Sequence, residues 1–254
     1  MIISADNSFL TYGPGVTSRR GFLLAGSLGA VGAVALGPTA TAEAAPKRAV
    51  AAAPVVFHDA YAGKCGRLPR SDSGHRYRYT GALDLVARDG ALQVSTDSLA
   101  RPVPAAGYQQ TDLGAPVSYI GAWFALDASG GRTTNGSGIL LGAFADQLVD
   151  ATTCTAGIHV VIGLDYWAYF VVDRGTPVAL MNGAYAPLPT GTTLFTEVSV
   201  VGTTATLLTP DGATHTVTDP RLGTLGRSWL TTEITSNDPR DVLGTYTSLQ
   251  ASTG

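Results

Sequence analysis

The side chains best suited to hold a ligand are aromatic. Trp123, Tyr119, Tyr166, Trp167, Tyr169, Tyr185 and Trp229 lie in or beside β-forming runs. A sugar ring stacks its apolar face on an exposed indole or phenol, and a nearby carboxylate or amide then bonds its hydroxyls. Asp165 beside Trp167 and Asn182 beside Tyr185 supply such partners. The expected ligand-binding set is therefore Trp123, Tyr119, Asp165, Trp167, Tyr169, Asn182 and Tyr185. Each ring taken singly would equally fill a core. Tyr166 and Trp167, however, are neighbours on one expected strand and must face opposite sides, so one of them leaves the core.

Other chemistry finds less support. A serine hydrolase needs its nucleophile on a tight turn with a histidine and a carboxylate in reach. No G-x-S-x-G follows residue 45, and Gly136-Ser137-Gly138 reads as a loop. His159 and His215 fall in expected strands, where a structural role is the default, and His58-Asp59 is a polar pair without a third member. No catalytic residue is assigned. Cys65 and Cys154 belong to no C-x-x-C and no histidine cluster, which argues against zinc. They are a candidate disulfide in an oxidising compartment, with two buried thiols as the alternative. No D-x-D-x-D-G loop is present, so calcium at loop carboxylates has no motif behind it, and no other cofactor is indicated.

The elements that must position these residues are strands. Hydrophobic residues make up 45% of the 254 and charged residues 14%, enough for a sizeable core. The net charge is −3 and the arginines are scattered, which argues against a nucleic-acid partner. Strands are expected at Val55–Phe57, at Leu83–Ala87 with Ala91–Ser95 across Asp89-Gly90, at Tyr108–Leu113, Val117–Leu126 and Ile139–Ala145. Ile158–Leu164, Tyr166–Val172, a short Val178–Met181 ending at Asn182-Gly183, Leu194–Val201 and Thr204–Thr209 follow. Ala213–Thr218, Ser228–Ile234 and Gly244–Ala251 complete the set. Val117–Leu126 is apolar on one side (Ile120, Ala122, Phe124, Leu126) and carries Tyr119 and Trp123 on the other, which suits a mid-sheet strand. No helix longer than a turn is expected after residue 45, and Asp146–Thr155 is left between a turn and a brief helix.

Residues 1–45 read as a leader. Arg19 and Arg20 precede an apolar run too short and too rich in Gly and Ala for a membrane span, and Thr41-Ala42-Glu43-Ala44-Ala45 follows as a small-x-small cleavage pattern. This is the layout of a twin-arginine signal peptide. Residues 46–54 form a flexible lead-in, and 55–254 are expected to be one domain secreted or held at the cell envelope, with no stable membrane span after cleavage.

Phe57-His58-Asp59, Ser71-Asp72-Ser73-Gly74-His75, Asp89-Gly90-Ala91-Leu92, Ile158-His159-Val160-Val161-Ile162, Tyr166-Trp167, Pro210-Asp211-Gly212 and Thr218-Asp219-Pro220-Arg221 occur in that order. Together they resemble concanavalin A-like modules in their laminin G-like form, including actinobacterial ones. The resemblance covers most of Val55–Ala251 and implies an all-β, two-sheet antiparallel sandwich of jelly-roll type. That fold hosts lectins, glycanases, lyases and adhesion modules alike. The glycanases use E-x-D-x-E on one strand to line up acid and nucleophile. Here Glu197 and Glu233 are the only glutamates after residue 45 and lie on separate strands. The lyases use grouped Arg, His, Tyr and Lys, yet Lys47 and Lys64 are the only lysines, both early. The leading expectation is a non-catalytic, lectin-like module for polysaccharide or cell-wall glycan. A glycan-active enzyme with an atypical carboxylate set and an adhesion module without a small ligand are the alternatives.

Overall fold

A computed structural model describes residues 55–100, 102, 105–126, 138–144, 156–174, 176–226, 228–236 and 243–254. The leader, the lead-in, Asn135 and Asp146–Thr155 lie outside them. The described residues form two antiparallel sheets. The eight-stranded sheet runs in the order β13 (Thr214–Thr218), β12 (Thr204–Leu208), β11 (Leu194–Val201), β6 (Val117–Leu126), β15 (Gly244–Thr253), β4 (Ala91–Val94) and β3 (Leu85–Arg88). The short β1 (Val55–Ala60) also pairs with β15. The seven-stranded sheet runs β10 (Thr176–Ala184), β9 (Tyr166–Asp173), β8 (Gly157–Ile162), β7 (Gly138–Phe144), β14 (Trp229–Ser236), β5 (Ala105–Asp112) and β2 (Arg78–Gly81). A four-residue helix, α1 (Thr96–Leu99), and a 3-10 turn at Pro220–Gly223 are the helical elements described. None is long and apolar enough to cross a membrane. The all-β sandwich expected from the sequence is the architecture found.

Alternation fills the space between the sheets. Ile120, Ala122, Phe124 and Leu126 of β6 face Ile158, Val160 and Ile162 of β8, Trp167, Tyr169 and Val171 of β9, and Leu230 and Ile234 of β14 in one buried cluster. A polar relay crosses the same interior. The Tyr61 hydroxyl donates to Gln109 Oε1 at 2.8 Å, and Gln109 Nε2 donates to the Tyr79 hydroxyl at 2.9 Å. Satisfied in this way, the buried amide avoids the desolvation cost of an orphan.

The turns follow their residue types. Asp89 and Gly90 have φ of 53° and 83°, the left-handed pair that joins β3 to β4. Asn182-Gly183 does not turn. Strand β10 runs through it, pairing Asn182 with Ala168 and Gly183 with Trp167. The reason is packing: a Cβ on Gly183 would stand 2.8 Å from the Trp167 indole nitrogen, so glycine is there to let the ring lie flat.

Candidate functional site

Strand β6 places the site. Its alternation turns Tyr119, Gly121 and Trp123 onto the outer face of the eight-stranded sheet, between β11 and β15. Trp123 sits directly opposite Phe195, their rings tilted with centroids 4.6 Å apart, and both are half-buried. Next to them Gly121 faces Glu197 on one side and Gln250 on the other. The Tyr119 hydroxyl donates to Glu197 Oε2 at 3.0 Å and accepts from Gln250 Nε2 at 3.0 Å. The phenol lies over Gly121, where a Cβ would meet its hydroxyl at 2.7 Å. Burial pushes the Tyr119 phenol up to about 12; the Gln250 donation opposes this and the Glu197 charge adds to it. The result is a shallow platform: a tilted aromatic pair beside a fixed carboxylate, phenol and amide. Such a surface can stack a ring and bond its hydroxyls.

Two candidates, Tyr119 and Trp123, therefore share one accessible surface. Two others, Asp165 and Tyr185, meet beyond the ends of β8 and β10. Asp165 and Tyr185 are joined through the backbone at 3.0 Å, the Tyr185 hydroxyl donates to the Gly163 carbonyl at 2.8 Å, and burial raises the Tyr185 phenol, with Tyr166, Asp211 and Asp165 adding to the effect. Trp167 lies against His215, ring centroids 4.1 Å apart. Asn182 is exposed on the outer side of β10.

Trp167 and Tyr169 correct the expected set. At 5% and 0% exposure they line the inter-sheet core and offer no ring to a ligand. Of the Tyr166–Trp167 neighbours, Tyr166 is the one that leaves the core. It packs with Val161, Ala168 and Phe170 on the outer face of the seven-stranded sheet.

Other expectations are also resolved by geometry. Asp59 and His58 are no pair, because strand neighbours face opposite sides. Asp59 is fully buried and binds Lys64 Nζ, the Tyr77 hydroxyl and the Asp72 amide, whereas His58 is exposed. Lys64 also reaches Asp72 at 2.7 Å. Burial alone would lower the Lys64 ammonium, but its hydrogen bonds to Asp59 and Asp72 outweigh this and raise it. Cys65 is exposed and free, and Cys154 lies outside the described residues. Glu197 and Glu233 occupy different sheets, with Glu233 on the side of β14 opposite Leu230 and Ile234 of the core. The pair thus sits on the two outer faces of the sandwich and cannot flank one glycosidic bond. Among the described residues no group of three His, Cys, Asp or Glu side chains is placed to hold a metal ion.

Sequence reasoning named Tyr119 and Trp123 and missed their neighbours Phe195, Glu197 and Gln250. Glu197, Gln250 and Phe195 come from β11 and β15, far from β6 in the chain. Their one sequence signal is that each falls on the side of its strand opposite the apolar positions.

No family model matches the chain, and no curated protein matches it in sequence. Among solved structures it is similar to the metal-free exoplasmic/lumenal domain of VIP36, with a TM-score of 0.53, 11% identity, and 73% of this chain and 88% of that chain covered. The Ca2+/Man2-bound form of that domain gives 0.52 and 12%, over 71% and 82%. The metal-free carbohydrate recognition domain of Emp46p gives 0.50 and 8%, over 69% and 87%. These likenesses show the fold, an antiparallel two-sheet β-sandwich of the jelly-roll type.

Proposed function

We propose that this chain is an exported, non-catalytic carbohydrate-binding module that holds glycan on the outer face of its eight-stranded sheet. One observation carries the reading: the tilted Trp123–Phe195 pair at 4.6 Å stands directly beside the Tyr119–Glu197–Gln250 relay. Stacking surface and hydroxyl-bonding groups are then side by side, as sugar recognition requires. The lectin domains of like fold, one with Man2 bound, agree with it. The placement of Glu197 and Glu233 on opposite outer faces supports a binding role over hydrolysis. Arg19 and Arg20 ahead of the apolar run support export by the twin-arginine route to the exterior or envelope. An oxidising exterior would also let Cys65 pair with Cys154.

The test is retention of the purified chain on cellulose, chitin, mannan and isolated cell walls, with released reducing sugar assayed in the same supernatants. Retention without release, lost in Trp123→Ala and weakened in Glu197→Gln, is expected. Release of sugar would replace the binding role with an enzymatic one. No retention by a folded chain would leave glycan binding without support.

A further inference from the structure

We infer that the glycan is an extended polymer laid across the strands, not a sugar end held in a pocket. This deepens the glycan-binding reading and rests on it. Thr216 of β13 stands opposite Thr206 of β12, Thr206 opposite Ser199 of β11, and Ser199 opposite Tyr119 of β6. Four hydroxyl side chains thus follow one another on four adjacent strands, the first exposed and the rest half-buried. At a strand spacing of about 4.8 Å the row spans roughly 14 Å. Its period is close to the length of one pyranose in an extended chain, so successive sugars would meet successive hydroxyls.

The rows beside it fit the same ligand. On the outer edge Thr204 pairs with Thr218 at 3.2 Å, and Thr206 with Thr216 at 3.5 Å, a hydroxyl ladder with methyl groups between. On the inner side stand Glu197, Gln250 and the Trp123–Phe195 pair. The ligand therefore leaves the aromatic pair and crosses a row of hydroxyls, flanked by exposed Val201 opposite Thr204 and half-buried Leu208 opposite Glu197.

The cavity that touches Tyr119 is too small for an end-binder. The cavity nearest Tyr119, lined by Val117, Ile120, Ile158, Val160 and Val198, has room for about 10 Å³, one water at most. Small-ligand sites enclose some hundreds of cubic ångströms. A second copy of the chain is a poorer occupant than a glycan. Protein interfaces are apolar at their centre, whereas here Thr216, Thr206 and Ser199 hold the centre.

The experiment is calorimetric titration of the full chain with one- to six-sugar oligomers of the retaining polysaccharide (cello-, chito- or manno-oligosaccharides). Affinity is expected to rise at least tenfold from two sugars to four and to level off beyond five. A Thr206→Val/Ser199→Ala double variant, with unchanged circular dichroism, should flatten that rise while keeping the affinity for two sugars. Light scattering on the same samples reports self-association. A monosaccharide that competes as well as the tetramer, a double variant with the wild-type length profile, or a dimer dispersed by Thr206→Arg would each overturn the inference. In those cases retention on polysaccharide survives and only the extended mode falls. Absence of retention on every polysaccharide would remove both readings together.

Discussion

On the outer face of the eight-stranded sheet, Thr216, Thr206, Ser199 and Tyr119 form a row that solvent reaches. On the outer face of the seven-stranded sheet, Arg78, Gln110 and Thr231 stand in a cross-strand row of the same kind, continued by His159 beyond β7. There Gln110, Thr231 and His159 are 1%, 0% and 6% exposed, and Glu233 and Thr235 on the next rows are 5% and 4% exposed. Both rows are polar and both are built by alternation. One is a surface; the other is an interior. The difference teaches that a polar face need not be solvated. Where hydroxyls and amides are exposed they are free to exchange water for a ligand, and where they are buried their cost must be met inside the protein.

The largest expected effect separates the two tryptophans. Trp167 belongs to the inter-sheet core beneath the seven-stranded sheet, packed on Gly183 and His215. Trp167→Ala should cost about 3–5 kcal/mol in urea unfolding. Trp123→Ala, on the open face, should cost about 1 kcal/mol or less while abolishing glycan retention. Equal destabilisation by the two would erase the contrast between platform and core.

Acid should act next, and first at the margins of the eight-stranded sheet. Hydrogen bonds from Lys64 and the Ala60 amide hold the Asp72 carboxyl below its ordinary range, and Arg221 holds Asp219 at about 2. A carboxylate depressed in the folded state adds stability above its unfolded value near 4, and that stability is lost as pH falls through the folded value. The urea midpoint should therefore decline between about pH 4 and pH 2. Asp219→Asn should start lower and decline less, measured by the same titration. Lys64, raised in the fold, works in the opposite sense: its contribution is whole below about pH 10.4 and fades above that. An acid decline identical in Asp219→Asn would detach Asp219 from the effect.

A smaller effect compares matched threonines. Thr231 Oγ1 is buried with no hydrogen-bond partner among the described residues. Thr231→Val should be neutral or stabilise by up to about 1 kcal/mol, since it removes an unsatisfied hydroxyl at nearly constant volume. Thr206→Val on the open face should leave stability within about 0.5 kcal/mol and weaken binding of four-sugar oligomers. A Thr231→Val variant that loses more than about 2 kcal/mol would mean that its hydroxyl is satisfied after all.

Legibility divides along the same line. Strand β6 could be read from Val117 to Leu126 because Ile120, Ala122, Phe124 and Leu126 are apolar at every second position, and its central place followed from bulk on both sides. The β3–β4 hairpin was written in Asp89-Gly90, whose left-handed backbone few other pairs adopt. Asn182-Gly183 misled because glycine serves two purposes, turning and close approach, and the Trp167 ring that required it is sixteen residues before Gly183. The core place of Trp167 and Tyr169 was equally hidden. Alternation says that neighbours part, and says nothing of which side is inside when both carry apolar residues. Strand β14 hid its burial in the opposite way, since Thr231, Thr232, Glu233 and Thr235 are polar in type and yet buried. The platform needed Glu197 and Gln250 beside Gly121, a juxtaposition set by strand order, and strand order is not local information.

The smallest expected change falls on that glycine. The groups a Cβ at Gly121 would meet, the Tyr119 hydroxyl at 2.7 Å and Gln250 Nε2 at 3.1 Å, are tips of flexible side chains on an open face. They can move aside, so Gly121→Ala should change stability by less than about 1 kcal/mol. What it should disturb is the relay. A displaced phenol gains water and loses proximity to Glu197, and both of the causes that raise Tyr119 weaken. Its titration, followed by phenolate absorbance with Tyr119→Phe as the blank, should then fall from about 12 toward the ordinary tyrosine value near 10. Glycan retention should fall with it, because Glu197 and Gln250 would no longer be held in place beside Trp123. If the titration shifts and retention does not, recognition rests on the Trp123–Phe195 rings alone. If neither shifts, the relay closes over an alanine as well as over a glycine, and the open face owes its shape to its aromatic pair.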